Sequence, residues 1–405
     1  MKTIAVIGAF DTKGKEFCYL RDKIKEYGTD TLMIDVGVLG EPDICPDITA
    51  EEVARMSGTS LEKLRKYQSR KEANDSMIRG IQVLVKKIYG EGRIQGAVSM
   101  GGGQGTHIAA AAMSVLPIGF PKVILSTVAT VAHAQSHFEG INDTMVMNSL
   151  VDIQGLNYIL KTVIARTAAT ITGMVMSTGE TVKAEDGRKR IAMSMFGITT
   201  PCVSRVQKKL EENGYEVLIF HTTGMGGRIM EKSIREGIIH GVIDVTLGEI
   251  TSDIFGLPGG AGKDRLCAAG EMGIPQIIVP GALDVLNFMP PETMPSRYES
   301  RISLMHNADL RVVRTNIEEN RILGEMIAQK LNQSTGFTEV ILPLKGLSSN
   351  DCQGMEFYSP EANHELFDAI RRNLKPNIKV EELDYHINAP EFADHVADVM
   401  LEELL

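Results

Sequence analysis

Short apolar runs rich in Val and Ile, separated by longer segments of helical period, constrain this chain more than any other feature. Four fall in the first half: TIAVIGA (3–9), DTLMIDVG (30–37), GAVSMG (96–101) and KVILST (122–127). Four more fall in the second half: RIAMSMFG (190–197), YEVLIFHT (215–222), GVIDVT (241–246) and QIIVPG (276–281). Near-continuous runs of this kind read as strands covered on both faces, with the helical stretches as crossovers. The pattern therefore predicts an α/β fold around parallel sheets. The two series also align in order. YGTDTLMIDVG matches NGYEVLIFHTTG, RIQGAVSMGGG matches IIHGVIDVTLG, and GFPKVILST matches GIPQIIVPG, where both members enter the strand through Gly-x-Pro. The expectation is an internal duplication: two Rossmann-like, doubly wound subdomains covering 1–185 and 186–405, joined near the polar stretch STGETVKAEDGRK (177–189). A chain of 405 residues suits two cores better than one. Beyond these runs, TEVILPLKG (338–346) predicts a further strand, and 361–374 and 390–405 predict amphipathic helices. The segment 150–175, rich in Ala, Thr and Gly, predicts a long close-packed helix that bridges the subdomains.

Charge narrows the partners. With 52 acidic against 42 basic side chains the formal charge is −10, which argues against nucleic acid or an anionic membrane. A phosphate held locally by backbone N–H groups and one lysine is still compatible with that charge. The lack of Trp and an aromatic content of 5% argue against a base-stacking groove. No apolar run approaches the roughly 18 residues of a membrane span. MKTIAVIGAF meets DTKGKE too soon for a signal sequence, so a buried first strand is expected. Cys18, Cys45, Cys202, Cys267 and Cys352 are scattered, odd in number and without a C-x-x-C. That pattern favours neither disulfides nor a cysteine zinc site, and it fits a reducing cytoplasm.

In an open parallel sheet, ligands bind beyond the carboxyl ends of the strands, near a topological switch point. The first such loop, GAFDTKGKE, is not a P-loop, because five residues separate Gly8 from Gly14 and Glu16 follows Lys15. No G-x-G-x-x-G follows the strand either, so NAD is not indicated. At this tip Lys13 can pair with a phosphate, Thr12 can donate a hydroxyl, and Asp11 can hold Mg2+ through water. A polar turn capping the next helix accounts for the same residues equally well. Asp35 lies after the second strand, where dinucleotide folds place a ribose-binding acid. The third strand enters Gly101, Gly102, Gly103, Gln104, Gly105 and Thr106, ahead of an Ala-rich helix. Glycines let the backbone approach an anion and adopt positive φ, and a helix N-terminus presents free N–H groups, so this loop reads as an anion site. Thr106 caps the helix or contacts the ligand, and Ser126 and Thr127 close the fourth strand.

The second half carries HTTGMGGR (221–228), TLGEI (246–250), GGAGKDR (259–265) and PGALDVLNF (280–288). These loops bring His221, Thr222, Thr223, Glu249, Arg265, Asp284 and Asn287 to strand ends. An alternative function rests on His221, Glu249, Asp284 and His306: a metal-assisted hydrolase or lyase of a small carboxylate. No pair of these has diagnostic spacing, H-E-x-x-H is absent, and no G-x-S-x-G elbow supports a serine hydrolase. His133 and His137 in VAHAQSHFEG, and most of the 21 methionines, read as packing or helix-end residues.

GAFDTKGKE, MGGGQGT, NSLVDIQGLN, SMFGITTPCV, HTTGMGGRIME, PQIIVPGALDVLNF, LPLKGLSSNDCQG and the closing HINAPEFA recur in order along nearly the whole chain. Together they resemble a largely uncharacterised family related to the inhibitory domain of the tomato mosaic virus resistance protein. The resemblance implies two Rossmann-like subdomains, ATP binding and a homodimer, with the nucleotide role falling on Asp11, Thr12, Lys13 and the 101–106 loop. In the plant protein this region binds the viral replication protein and blocks RNA replication, an activity of one branch. A TIM barrel similar to phosphoenolpyruvate hydrolases follows it there. No such barrel falls within these 405 residues, so a separate partner of that type is expected. The overall expectation is a cytoplasmic ATP-binding protein, an enzyme or enzyme subunit acting on a small molecule in the cleft between the subdomains. The first loops would hold phosphates with Mg2+, and HTTGMGG and PGALD would hold the substrate. In a phosphoryl transfer Lys13 and the loop amides would stabilise charge, and Asp11 or Glu249 would serve the metal. Glu249, His221 and Asp284 are the candidate catalytic residues. A regulatory protein with ATP as a structural ligand is a further alternative.

Overall fold

Side chains alternate between two buried faces along Thr3–Gly8 (β1): Ile4 and Val6 enter one core, Ala5 and Ile7 another. A strand buried on both faces needs helices on both. The first of two compact units, Met1–Lys183, provides them. The computed structural model describes residues 1–66, 70–131, 143–177 and 187–404, so His133, His137 and most of 177–189 lie outside the described residues.

The strands Asp30–Asp35 (β2), Gly96–Gly101 (β3), Lys122–Ser126 (β4) and Met145–Asn148 (β5) join β1 in one parallel sheet of order β2-β1-β3-β4-β5. The helices, in chain order, are Phe10–Glu26 (α1), Ala50–Met56 (α2), Leu61–Arg65 (α3), Arg70–Gly90 (α4), Gly103–Ser114 (α5) and Tyr158–Ser177 (α6). Helices α1 and α6 cover one face, and α2, α4 and α5 the other. The chain steps from β1 outward to β2 and then back across to β3. That reversal opens a crevice at the carboxyl ends of β1 and β3.

Helix α6 departs from two expectations. It is long and apolar enough by length and composition to cross a membrane, with a mean hydropathy of 1.3 over 18 residues. Its apolar residues from Leu160 to Val175 nevertheless pack into the core of the first unit, against α1 and the sheet. The expected bridging helix is therefore a layer helix of that unit.

In the second unit, Ala184–Leu405, the strands are Arg190–Met195 (β6), Glu216–His221 (β7), Gly241–Thr246 (β8), Gln276–Gly281 (β9), Val285–Phe288 (β10), Ser303–Asn307 (β11), Leu310–Arg314 (β12), Thr338–Pro343 (β13) and Lys379–Leu383 (β14). The helices are Thr200–Glu212 (α7), Met225–Arg235 (α8), Gly248–Phe255 (α9), Ala268–Met272 (α10), Ile317–Leu331 (α11), Pro360–Asn373 (α12) and Pro390–Leu404 (α13). The main sheet is parallel, with order β14-β13-β9-β8-β6-β7. With β6, β7, β8, β9 and β13 set against β1 to β5, the strand order of the first unit recurs, with β14 added at the edge. Both units are thus Rossmann-like. Between β9 and β13 the chain inserts a small antiparallel sheet, β10-β12-β11.

Candidate functional site

A pocket of about 310 Å3 lies at the carboxyl ends of β1, β2 and β3. That volume is at the small end of the range for small-molecule sites. The chain leaves β1 through Gly8, where a Cβ would lie 1.9 Å from the Phe17 ring. Asp35, 2% exposed, then fixes the turn: its Oδ1 accepts from the N–H groups of Phe10 and Gly37, both at 2.9 Å. Burial pushes this carboxyl up from its ordinary value. The structure therefore gives Asp35 a tethering role behind the pocket, and it is absent from the lining where a ribose-binding acid would stand. Asp11 does line the pocket. Its Oδ2 accepts from Leu39 N at 2.8 Å and Gly40 N at 3.0 Å, while its Oδ1 is buried without a hydrogen-bond partner among the described residues. Lys13 sits at a kink in α1, with φ −134° and ψ 25°, and donates from Nζ to the Ile153 carbonyl at 2.5 Å. An ammonium has three donors, so two remain. Thr12 stands exposed at the rim.

The glycine loop forms the other wall. Gly102 is the N-cap of α5, which starts at Gly103 and has no side-chain cap. Helix geometry leaves the N–H groups of this first turn without intrahelical acceptors. Gly101 is demanded by the fold, since a Cβ there would lie 2.9 Å from the Gly105 Cα. Positive φ, the other expected reason for glycine, does not occur between 101 and 105. At Gly102 and Gly105 a Cβ would meet the protein only at 3.7 and 3.8 Å, in ordinary contact. Neither packing nor backbone conformation asks for glycine at these two positions. Gln104 is exposed at the rim. Thr106 and Ser126 brace the loop rather than line the pocket: both are fully buried, with hydroxyls 2.7 Å apart. Thr127 donates its N–H to the Gly101 carbonyl at 3.1 Å.

Sequence reasoning missed part of the lining. Asn74 comes from α4, Ser99 from β3, and Val36, Val38, Leu39 and Ile108 give an apolar wall. The pocket is thus apolar where it meets the end of β2 and rich in N–H donors at α5.

The second unit treats its glycine loop differently. Glu249, 1% exposed, accepts through Oε1 from Gly224 N at 2.6 Å and Gly227 N at 3.1 Å. Its Oε2 accepts from Arg265 Nε at 2.9 Å. Arg265, also 1% exposed, is further bonded to Asp244 and lies against Glu231. Burial opposes the guanidinium charge, but these carboxylates outweigh it and raise its pKa well above the ordinary value. HTTGMGG is therefore folded around an internal carboxylate. His221 is exposed, its ring centroid 5.5 Å from that of Phe196. Asp284 is fully buried in a separate network, where Oδ2 accepts from Ser348 Oγ at 2.6 Å and Oδ1 has no partner among the described residues. Burial, and then Asp351, push its carboxyl up to about 6. The three candidate catalytic residues thus occupy three different settings. Among the described residues no group of His, Cys, Asp or Glu is fit to hold a metal ion, so His221, Glu249, Asp284 and His306 form no metal centre.

Comparison with known proteins places these features in a family. The model for the N-terminal domain of the uncharacterised protein family UPF0261 matches residues 2–180, and that for its C-terminal domain matches residues 188–404. A UPF0261 protein of Clostridium tetani is 40% identical over 99% of this chain and 98% of its own length. The ToMV susceptible protein tm-1(GCR26) of Solanum lycopersicum is 35% identical over 98% of this chain, which spans 55% of that protein. The ToMV resistance protein Tm-1(GCR237) of the same plant is 38% identical over 80% of this chain and 44% of its own length. A solved UDP-N-acetylglucosamine 2-epimerase from Rickettsia bellii covers the whole chain at 9% identity, but its TM-score of 0.23 is too low to bear on function.

Proposed function

We propose that this chain, which belongs to the uncharacterised protein family UPF0261, is an ATP-binding protein with its nucleotide site in the first unit. The observation that carries this reading is the pair Gly102 and Gly105. Neither glycine is required by packing among the described residues, and both line a pocket at an uncapped helix N-terminus. A missing Cβ at such a place leaves room for a ligand oxygen against backbone N–H groups. The first-turn amides of α5 and the two remaining donors of Lys13 would hold phosphate oxygens. Val36, Val38 and Leu39 would cover the base. The partnerless Asp11 Oδ1 suits a divalent cation, and bound Mg2+ would supply neutralisation of the phosphate charge.

The test is thermal unfolding of dialysed protein against ATP, ADP, AMP, GTP and NAD, each with and without Mg2+. A ligand at one hundred times its dissociation constant stabilises by about 2.7 kcal/mol. The expected result is a rise in Tm that is greatest with Mg2+ and ATP and is diminished in Lys13→Ala. Folded protein that responds to no nucleotide overturns the proposal.

A further inference from the structure

The second unit keeps a smaller cavity, of about 150 Å3, at the carboxyl ends of β6, β7 and β8. This is the place in the repeated topology where the first unit has its nucleotide pocket. The inserted antiparallel sheet walls it with Asn287 and Leu310, and Met289, just past β10, adds to the wall. Its volume equals that of about five waters in the liquid.

Two polar side chains in its lining bear on what it holds. Asn287 Oδ1 is buried and without a hydrogen-bond partner among the described residues. Ser252, 2% exposed, adds a hydroxyl to the same lining. Buried polar atoms left this way are costly, and in native proteins they usually find a partner outside the chain. The charge of the lining limits what that partner is. Glu249 is the one ionisable side chain in it, and both its oxygens are already taken by Gly224, Gly227 and Arg265. No lysine or arginine faces an anion, and a carboxylate so fully bonded does not call for a cation.

We propose that this cavity binds a small neutral polyhydroxyl compound, of triol or tetritol size. One hydroxyl donates to Asn287 Oδ1 and a second exchanges hydrogen bonds with Ser252, while the carbon skeleton lies against Phe196, Met289 and Leu310. The site is independent of the nucleotide reading.

Saturation-transfer NMR on the full chain tests it, with erythritol as the neutral probe, glycerate as the anion and 2-aminopropane-1,3-diol as the cation. NMR is preferred to Tm here because polyols stabilise proteins in general by exclusion from their surface. The expected result is transfer to erythritol alone, with the dissociation constant raised at least tenfold in Ser252→Ala and in Asn287→Leu. Ser252→Ala removes only a hydroxyl, so it carries the test if Asn287→Leu does not fold. Transfer to glycerate or to the amine in place of erythritol overturns the proposal. So does no transfer at all, or erythritol binding that neither substitution changes. The Tm response to Mg2+ and ATP is expected to stay intact in Ser252→Ala, which separates failure here from failure of the nucleotide site.

Discussion

Gly105→Ala separates a glycine kept for a ligand from one kept for the fold. Gly105 is the third residue of α5 and has helical backbone geometry without positive φ. A Cβ built there has Met100 O as its nearest protein neighbour, at 3.8 Å, so the substitution introduces no clash. Alanine is favoured over glycine in a helix by up to about 1 kcal/mol. In a unit of this size each kcal/mol moves Tm by roughly 2–4 °C. The free variant is therefore expected to melt at the wild-type temperature or up to about 4 °C above it. The new methyl group also enters the space beside the first-turn amides. On the proposed reading, wild-type protein at one hundred times the dissociation constant would gain about 2.7 kcal/mol from the nucleotide, and the variant is expected to lose most of that gain. The assay is paired melting curves, with and without Mg2+ and ATP. The signature is opposite signs: unchanged or higher Tm when free, lower Tm than wild type when ligand is present. Gly101→Ala is the control, expected to destabilise both states because its Cβ would lie 2.9 Å from the Gly105 Cα. A fall in the free Tm of Gly105→Ala would show that the fold does need this glycine. A full nucleotide response in the variant would remove the backbone-approach argument.

Two further predictions concern the buried charges of the second unit. Asp284 has its carboxyl raised from 3.8 to about 6, first by burial and then by Asp351. Between those values the folded state binds more protons than the unfolded state, so stability falls as pH rises through the window. Asp284→Asn is expected to flatten that slope and to raise the urea midpoint at pH 7, since an amide oxygen can still accept from Ser348; urea titrations from pH 4 to 7.5 decide, and an unchanged slope refutes the assignment. Glu249→Gln weakens a buried pair with Arg265 and disturbs the acceptor for Gly224 and Gly227. It is expected to cost about 2–4 kcal/mol by urea unfolding of the second unit, and a loss below about 1 kcal/mol would contradict the internal-anion role.

The main strands were legible because each is buried on both faces and reads as an unbroken apolar run. The edges and the insertion were not. MVMN of β5 has only four residues, KVEEL of β14 carries two glutamates on an edge, and SLMHN of β11 is largely exposed. None of these makes a long hydrophobic run, because β5 and β14 are edge strands of the parallel sheets and β11 is an edge of the small antiparallel one. At the site, the positions of Asp11, Thr12, Lys13 and the 101–105 loop followed from strand ends alone. Asn74 did not, because α4 carries it in from a separate stretch of chain with no local signal. For Asp35 the residue type and place were readable, but the direction of its carboxyl was not. That direction depends on which backbone amides the turn leaves unpaired, here those of Phe10 and Gly37.

The two glycine loops show why composition alone cannot separate an anion site from an anion already built in. In HTTGMGG each glycine answers to the protein itself. Gly224 has φ +92°, a Cβ on Gly226 would lie 1.9 Å from the His221 carbonyl, and one on Gly227 would lie 2.1 Å from Glu249 Oε2. The chain supplies its own carboxylate there, so the glycines make room for Glu249 and leave no open anion site at those amides. In GGGQG, Gly101 answers to the fold, while packing among the described residues asks for glycine at neither Gly102 nor Gly105. Glycine at 105 also weakens the start of α5 relative to alanine. A residue that lowers helix stability, is not required by packing among the described residues, and opens space beside unpaired amides is what the proposed nucleotide site would call for. The repeated topology thus holds one glycine loop closed by its own glutamate and one whose first-turn amides no side chain caps.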